Sequence, residues 1–176
     1  MATSPVTWRQ PWSRGMSLTE LLVGAAILAL TIVTLLNAFL NQATLNTHSR
    51  NLSWAMNDAT RVLEQLRQQN SGSGCLTPNV APVAGFGSWD AWLNDTSPLG
   101  GGGKSIQPNP TVNELIVVSA SGVDPAQVTV AVCWRQQTRV VGECRWSGTQ
   151  LVPNDLDGNG LITAPATLST LLSCRP

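Results

Sequence analysis

The sequence predicts an α+β protein in which one long N-terminal helix packs on a small antiparallel β-sheet head. The first half of that helix is transmembrane and the second half amphipathic. Three observations carry this. Leu21 to Leu40 is an unbroken apolar run whose most polar members are Thr31, Thr34 and Asn37. Beyond it, hydrophobic residues recur at helical spacing with no breaker before Ser71. After residue 113, β-branched residues cluster and then alternate, as strands require.

The apolar run would span roughly 30 Å as a helix, the thickness of a hydrocarbon core. A cleavable secretory signal has a shorter apolar region of about 7–15 residues followed by a small-residue cut site. Asn41-Gln42-Ala43 fits such a site poorly. The flank before the run holds Arg9 and Arg14 and no acid, which places the N-terminus in the cytoplasm and the remainder outside it. Glu20, at the apolar boundary, needs a further reason. A carboxylate there is unfavourable unless it stays at the interface or meets a cation.

The second half of the helix is marked by Leu45, Leu52, Met56, Ala59, Val62, Leu63 and Leu66. Arg50, Asp58, Arg61, Glu64 and Arg67 lie between them, and Glu64 can pair with Arg67 one turn on. Ser71-Gly72-Ser73-Gly74 should stop the helix. His48 is the sole histidine. With no second histidine and no spaced carboxylates beside it, neither a histidine-based triad nor a histidine-rich metal site can be assembled. An enzyme is therefore not expected.

Residues 71–113 are rich in Gly, Pro, Asn and Ser, with Phe86, Trp89 and Trp92 as anchors and a short helical turn at Asp90 to Leu93. The Gly100-Gly101-Gly102-Gly103-Lys104-Ser105 stretch superficially suggests a phosphate loop. That pattern needs glycine where Pro98 stands and an apolar strand before it, so a flexible linker is the better reading. Strands follow at Glu114 to Ala120, through Val128, Val130 and Val132, and, across a turn near Gln137-Thr138, at about Arg139 to Trp146.

Cys75, Cys133, Cys144 and Cys174 form an even set in the exported part. Zinc sites favour close pairs such as C-x-x-C, which are lacking, so two disulfides are expected. Four cysteines allow three connectivities. If Thr138 and Arg139 form the hairpin loop, Cys133 and Cys144 face each other across it, leaving Cys75 for Cys174.

Asp155, Asp157, Asn159 and Gly160 stand at positions 1, 3, 5 and 6 of a calcium loop, with Ile162 at the apolar eighth. The twelfth position, which should be a bidentate Glu, is Ala166 behind Pro165. Two readings stand: a calcium site completed by a carboxylate from elsewhere, or a turn rich in Asp, Asn and Gly, and the turn is favoured.

Lys plus Arg and Asp plus Glu number ten each, and charged residues are 11% of the chain. This balance argues against a surface that tracks nucleic-acid phosphates.

Gly15-Met16-Ser17-Leu18-Thr19-Glu20-Leu21-Leu22 resembles the class III signal, the processing and N-methylation site of type IV pilin-like proteins. The resemblance implies that a prepilin peptidase cuts between Gly15 and Met16 and methylates the new amine. Residues 1–15 are then a leader, 16–41 the transmembrane half-helix, 42–70 the amphipathic half and 71–176 the globular head of a pilin fold. Glu20 becomes the fifth mature residue. Met16 replaces the Phe most often found first, and Asn37 stands where many major pilins have a kinking Pro. In a filament the Met16 amine is a cation among apolar helices, and Glu20 of an adjacent subunit can neutralise it. The pair would set axial register.

"VTVAVCWRQ" followed by Arg and a Gly-Glu step, then an Asp-Gly-rich loop, resembles PilV-like minor pilins, the type IV pilus modification proteins. The implied function is a minor pilin of a type IV pilus that assists assembly initiation, biogenesis or adhesion. Its implied partners are the prepilin peptidase, other major and minor pilins and the inner-membrane assembly platform. It would sit in the bacterial inner membrane as a single-pass protein with a periplasmic head, and then in the pilus at the cell surface. The alternative is a pseudopilin of a type II secretion system, which shares the N-terminal motif. A DNA-uptake role is disfavoured, because loss of Arg9 and Arg14 with the leader leaves the mature chain at net −2.

Overall fold

The structure, a computed structural model, describes residues 17–72, 75–106 and 113–174. It contains two compact units, one up to Leu45 and one from Asn46 onward. Helix α1, Leu18–Gln69, has residues in both.

In the first unit α1 is a single helix with every described side chain exposed. No proline interrupts it, and it runs straight through Asn37. Its threonines return their hydroxyls to the helix: Thr31 Oγ1 donates to the Leu28 carbonyl at 2.8 Å, and Thr34 Oγ1 to that of Thr31 at 2.9 Å. Polar atoms satisfied within the helix suit a bilayer, which has no water to offer. The helix is long and apolar enough to cross a membrane.

In the second unit one stripe of α1 turns inward: Asn51, Ala55, Asp58, Ala59, Val62, Leu63 and Leu66. Spacings of three and four keep these on one face. Leu52 and Met56 flank the stripe half-buried, whereas Leu45, expected to be part of it, is 69% exposed. Each large aliphatic buried here contributes about 1.5–3 kcal/mol. The helix ends where Asn70 folds back. Its amide donates to the Leu66 carbonyl at 2.7 Å and to the Asn79 carbonyl at 2.9 Å, so the cap also holds the following segment.

Helix α2, Trp89–Asn94, is capped by Ser88, whose Oγ accepts the Ala91 amide at 3.0 Å. Trp89 Nε1 donates to the Val80 carbonyl and Trp92 Nε1 to that of Leu99, so two buried indoles anchor the surrounding loops.

The main sheet is antiparallel, with β2 (Ala126–Gln136) at its centre. Strand β1 (Glu114–Ser121) covers one edge of β2. Two strands share the other edge: β3 (Arg139–Val141) pairs with Trp134 to Gln136, and β6 (Ala166–Leu172) with Ala126 to Val132. Strands β4 (Cys144–Trp146) and β5 (Leu151–Pro153) form a separate two-stranded ribbon. Alternation along β2 splits the core. Val128, Val130, Val132 and Trp134 pack with α1, while Ala131 and Cys133 pack with Cys144, Leu151 and Ile162. The protein is therefore α+β, a long helix on a small antiparallel sheet, with the ribbon on the opposite face.

Two expectations change. The hairpin turns at Gln137-Thr138 as expected, but Thr138 and Arg139 are not its two loop residues, because Gln136 pairs with Arg139. The expected single strand from Arg139 to Trp146 is broken at Gly142, whose φ of 98° only glycine adopts readily. A Cβ there would lie 2.8 Å from Cys133 Sγ and 2.9 Å from Ala164 Cβ, so only glycine fits where the chain jogs.

Candidate functional site

Gly15 and Met16, the expected cleavage and methylation pair, lie outside the described residues. Glu20 is in the first turn of α1 and exposed. Ser17-x-x-Glu20 is also a capping-box sequence, and its serine half is made: the Glu20 amide donates to Ser17 Oγ at 3.3 Å. An acid at a helix N-terminus is favoured by the helix dipole. Helix capping accounts for an acid here, but not for the apolar run immediately behind it.

The disulfides join Cys75 to Cys174 and Cys133 to Cys144, with Cα separations of 5.3 and 6.2 Å. The first ties the segment after α1 to the end of β6. The second does not form across directly paired residues, since continuing the β2–β3 register would put Cys133 opposite Gly142. The jog at Gly142 brings Cys144 back to Cys133 instead.

The loop from Asn154 to Thr163 is anchored at Glu143. Its carboxylate accepts the Thr163 amide at 2.8 Å, and its carbonyl accepts that of Asn154 at 3.0 Å. Within the loop, the Asp155 carboxylate accepts the amides of Gly158, Asn159 and Gly160 at 2.8, 3.3 and 2.7 Å. Asn159 Oδ1 accepts the Leu161 amide at 2.7 Å. Asp157 is exposed on the same loop. Ala166, at the twelfth position, is fully buried in β6 opposite Val132. Among the described residues, no group of three His, Cys, Asp or Glu side chains is arranged to hold a metal. The donor set fits a turn organised by Asp155 better than a cation cage.

A buried polar cluster between helix and sheet is the feature the sequence reading missed. Asp58 is fully buried on α1. Its carboxylate pairs with Arg61 and accepts the Ser105 hydroxyl at 2.6 Å and the Ser105 amide at 2.7 Å. Arg61 also donates to the Gly101 and Gly103 carbonyls, each at 2.7 Å. Lys104, 5% exposed, pairs with Asp90 of α2 at 2.7 Å and donates to the Glu114 carbonyl at 2.8 Å. Asp90 in turn accepts the Ile116 amide at 3.0 Å, capping the open edge of β1. Glu114, 1% exposed, accepts the Ile106 amide at 3.2 Å. Desolvation, then the nearby Asp58 charge, pushes the Glu114 carboxyl up to about 9, partly offset by the Ile106 amide and by Lys104.

Residues 99–106 are thus a fastened strap, not the flexible linker expected. The amides of Gly101, Gly102 and Gly103 donate to Trp92, Asp95 and Leu93. A Cβ on Gly101 would meet Leu93 Cα at 2.6 Å, so the glycines permit close backbone approach rather than motion. One sequence signal could have located the cluster. Asp58 lies three residues after Ala55 and four before Val62, squarely on the buried stripe. His48 stays half-buried, with Nδ1 3.3 Å from Gln136 Oε1 and its ring 5.7 Å from that of Trp134.

Compared with known proteins, the chain matches no family model, no curated protein and no solved structure.

Proposed function

We propose that this chain is a minor pilin, held in the inner membrane by α1 and then drawn into a type IV pilus with its disulfide-closed head outside the cytoplasm. The observation that supports this most is the start of α1. Glu20 is the only charged residue from Leu18 to Ser49, and it directly precedes twenty apolar or weakly polar exposed residues. Exposed apolar helix on this scale requires a bilayer or a bundle of like helices. An acid at its head suits a bundle in which each subunit presents a cationic N-terminus. Cleavage after Gly15 would create that amine at Met16, and Glu20 of a neighbouring subunit would pair with it in an apolar setting.

Mass analysis of cell-derived protein should find a chain beginning at N-methylated Met16. A chain starting at Met1, or trimmed beyond the apolar segment, would overturn the proposal. Glu20→Ala should be processed and folded but lost from sheared surface filaments. Recovery of processed protein only with a secretion pseudopilus would reassign it to the type II secretion reading.

A further inference from the structure

Three acids and two cations meet between α1, α2, β1 and the strap. Arg61 answers Asp58, and Lys104 answers Asp90. Among the described residues no cation pairs with the Glu114 carboxylate, and Lys104 donates to its backbone carbonyl instead. Glu114 Oε2 accepts the Ile106 amide, next along the strap from the Ser105 amide that Asp58 holds, whereas among the described residues no donor meets the buried Oε1. Two ionised carboxylates near each other away from water repel strongly, and an ionised Oε1 would remain unsatisfied. One proton removes both faults. It neutralises the third acid and converts the orphaned acceptor into a donor.

We propose that Glu114 carries a proton, and that this proton latches the strap 99–106 to helix and sheet so that alkaline medium releases it. Without the proton, the Asp58 carboxylate that holds Ser105 and Arg61 would face a second negative charge. The contacts of Arg61 to Gly101 and Gly103 and of Ser105 to Asp58 would then weaken together. Glu114 keeps its proton in the folded chain up to about pH 9, whereas in the unfolded chain it releases it in the ordinary carboxylate range. The unfolded state therefore binds fewer protons across that window, stability falls as pH rises through it, and the loss levels off above.

Lys104 is the only lysine in the chain, which supplies a direct probe. Full-length protein in detergent micelles is treated with a lysine-specific protease at pH 7 and pH 9.5 and analysed after reduction. Wild type should resist at pH 7 and be cut after Lys104 at pH 9.5, while Glu114→Gln resists at both. The melting temperature of wild type should also drop relative to Glu114→Gln as pH rises from 5 to 9. Parallel pH profiles, or equal cleavage of the two proteins at pH 9.5, would overturn the latch. Should Glu114→Gln not fold, infrared spectra of wild type carrying isotope-labelled glutamate decide. A protonated glutamate band at pH 7 that vanishes by pH 10 supports the proposal, and its absence at pH 7 refutes it.

Discussion

The Asp155 carboxylate gathers three loop amides that no strand or helix satisfies. Short polar side chains are favoured in turns for this reason: they replace a backbone acceptor where the chain reverses. The residue types that spell out most of a calcium loop therefore have a second explanation in the same atoms. Asp155→Ala should lower stability by about 1 kcal/mol, the typical net value of such bonds. Thermal unfolding of the full chain should show an equal loss with added calcium and with chelator. A calcium-dependent stabilisation of wild type that disappears in Asp155→Ala would instead assign a cation to Asp155, Asp157 and Asn159. Gly142 makes the complementary point. Its missing side chain is what lets Cys133 Sγ and Ala164 occupy the same corner.

Among the elements, the strap is the least like its composition. Four consecutive glycines normally mark a flexible tether, yet these donate to the carbonyls of Trp92, Leu93 and Asp95 on one side and accept from the Arg61 guanidinium on the other. Arg61 suits this position because its planar fork can reach a carboxylate and two carbonyls at once, which a lysine cannot. Arg61→Ala would leave the fully buried Asp58 charge uncompensated, a loss of about 3–5 kcal/mol. Chemical unfolding should register that loss, and Lys104 should become cleavable at neutral pH. A variant as stable and as protease-resistant as wild type would show that the strap is held by its backbone bonds alone. Strand β6 is the other element not legible in advance. Its "ATLSTLL" has Ala166 and Leu172 buried but Leu171 exposed, so the apolar alternation fails, and pairing with β2 makes the strand.

At the scale of the whole molecule, the head is closed by covalent bonds at positions that matter unequally. Cys75 and Cys174 are 99 residues apart, Cys133 and Cys144 only 11. Constraint of the unfolded chain grows with the loop closed, to about 4–5 kcal/mol near 100 residues against about 3 for a loop near 15. Replacing Cys75 and Cys174 together by serine should therefore reduce stability more than replacing Cys133 and Cys144, measured by denaturant unfolding of full-length protein in micelles. The reverse order would mean that packing of the ribbon on β2 depends on its bridge more than the C-terminus depends on its own.

The sequence by itself determined the apolar helix, its amphipathic continuation, the stop after Gln69 and the central strand. Each is written in local periodicity or a local breaker, and Leu21 to Leu40 and Val128 to Val132 leave little choice. The tertiary structure alone decided the sharing of β2 between β3 and β6, the jog at Gly142 and the meeting of Asp58, Lys104 and Glu114. Those groups are distant in sequence, and their partnership depends on which faces turn inward. Burial, more than spacing, selects the partner each charge must find.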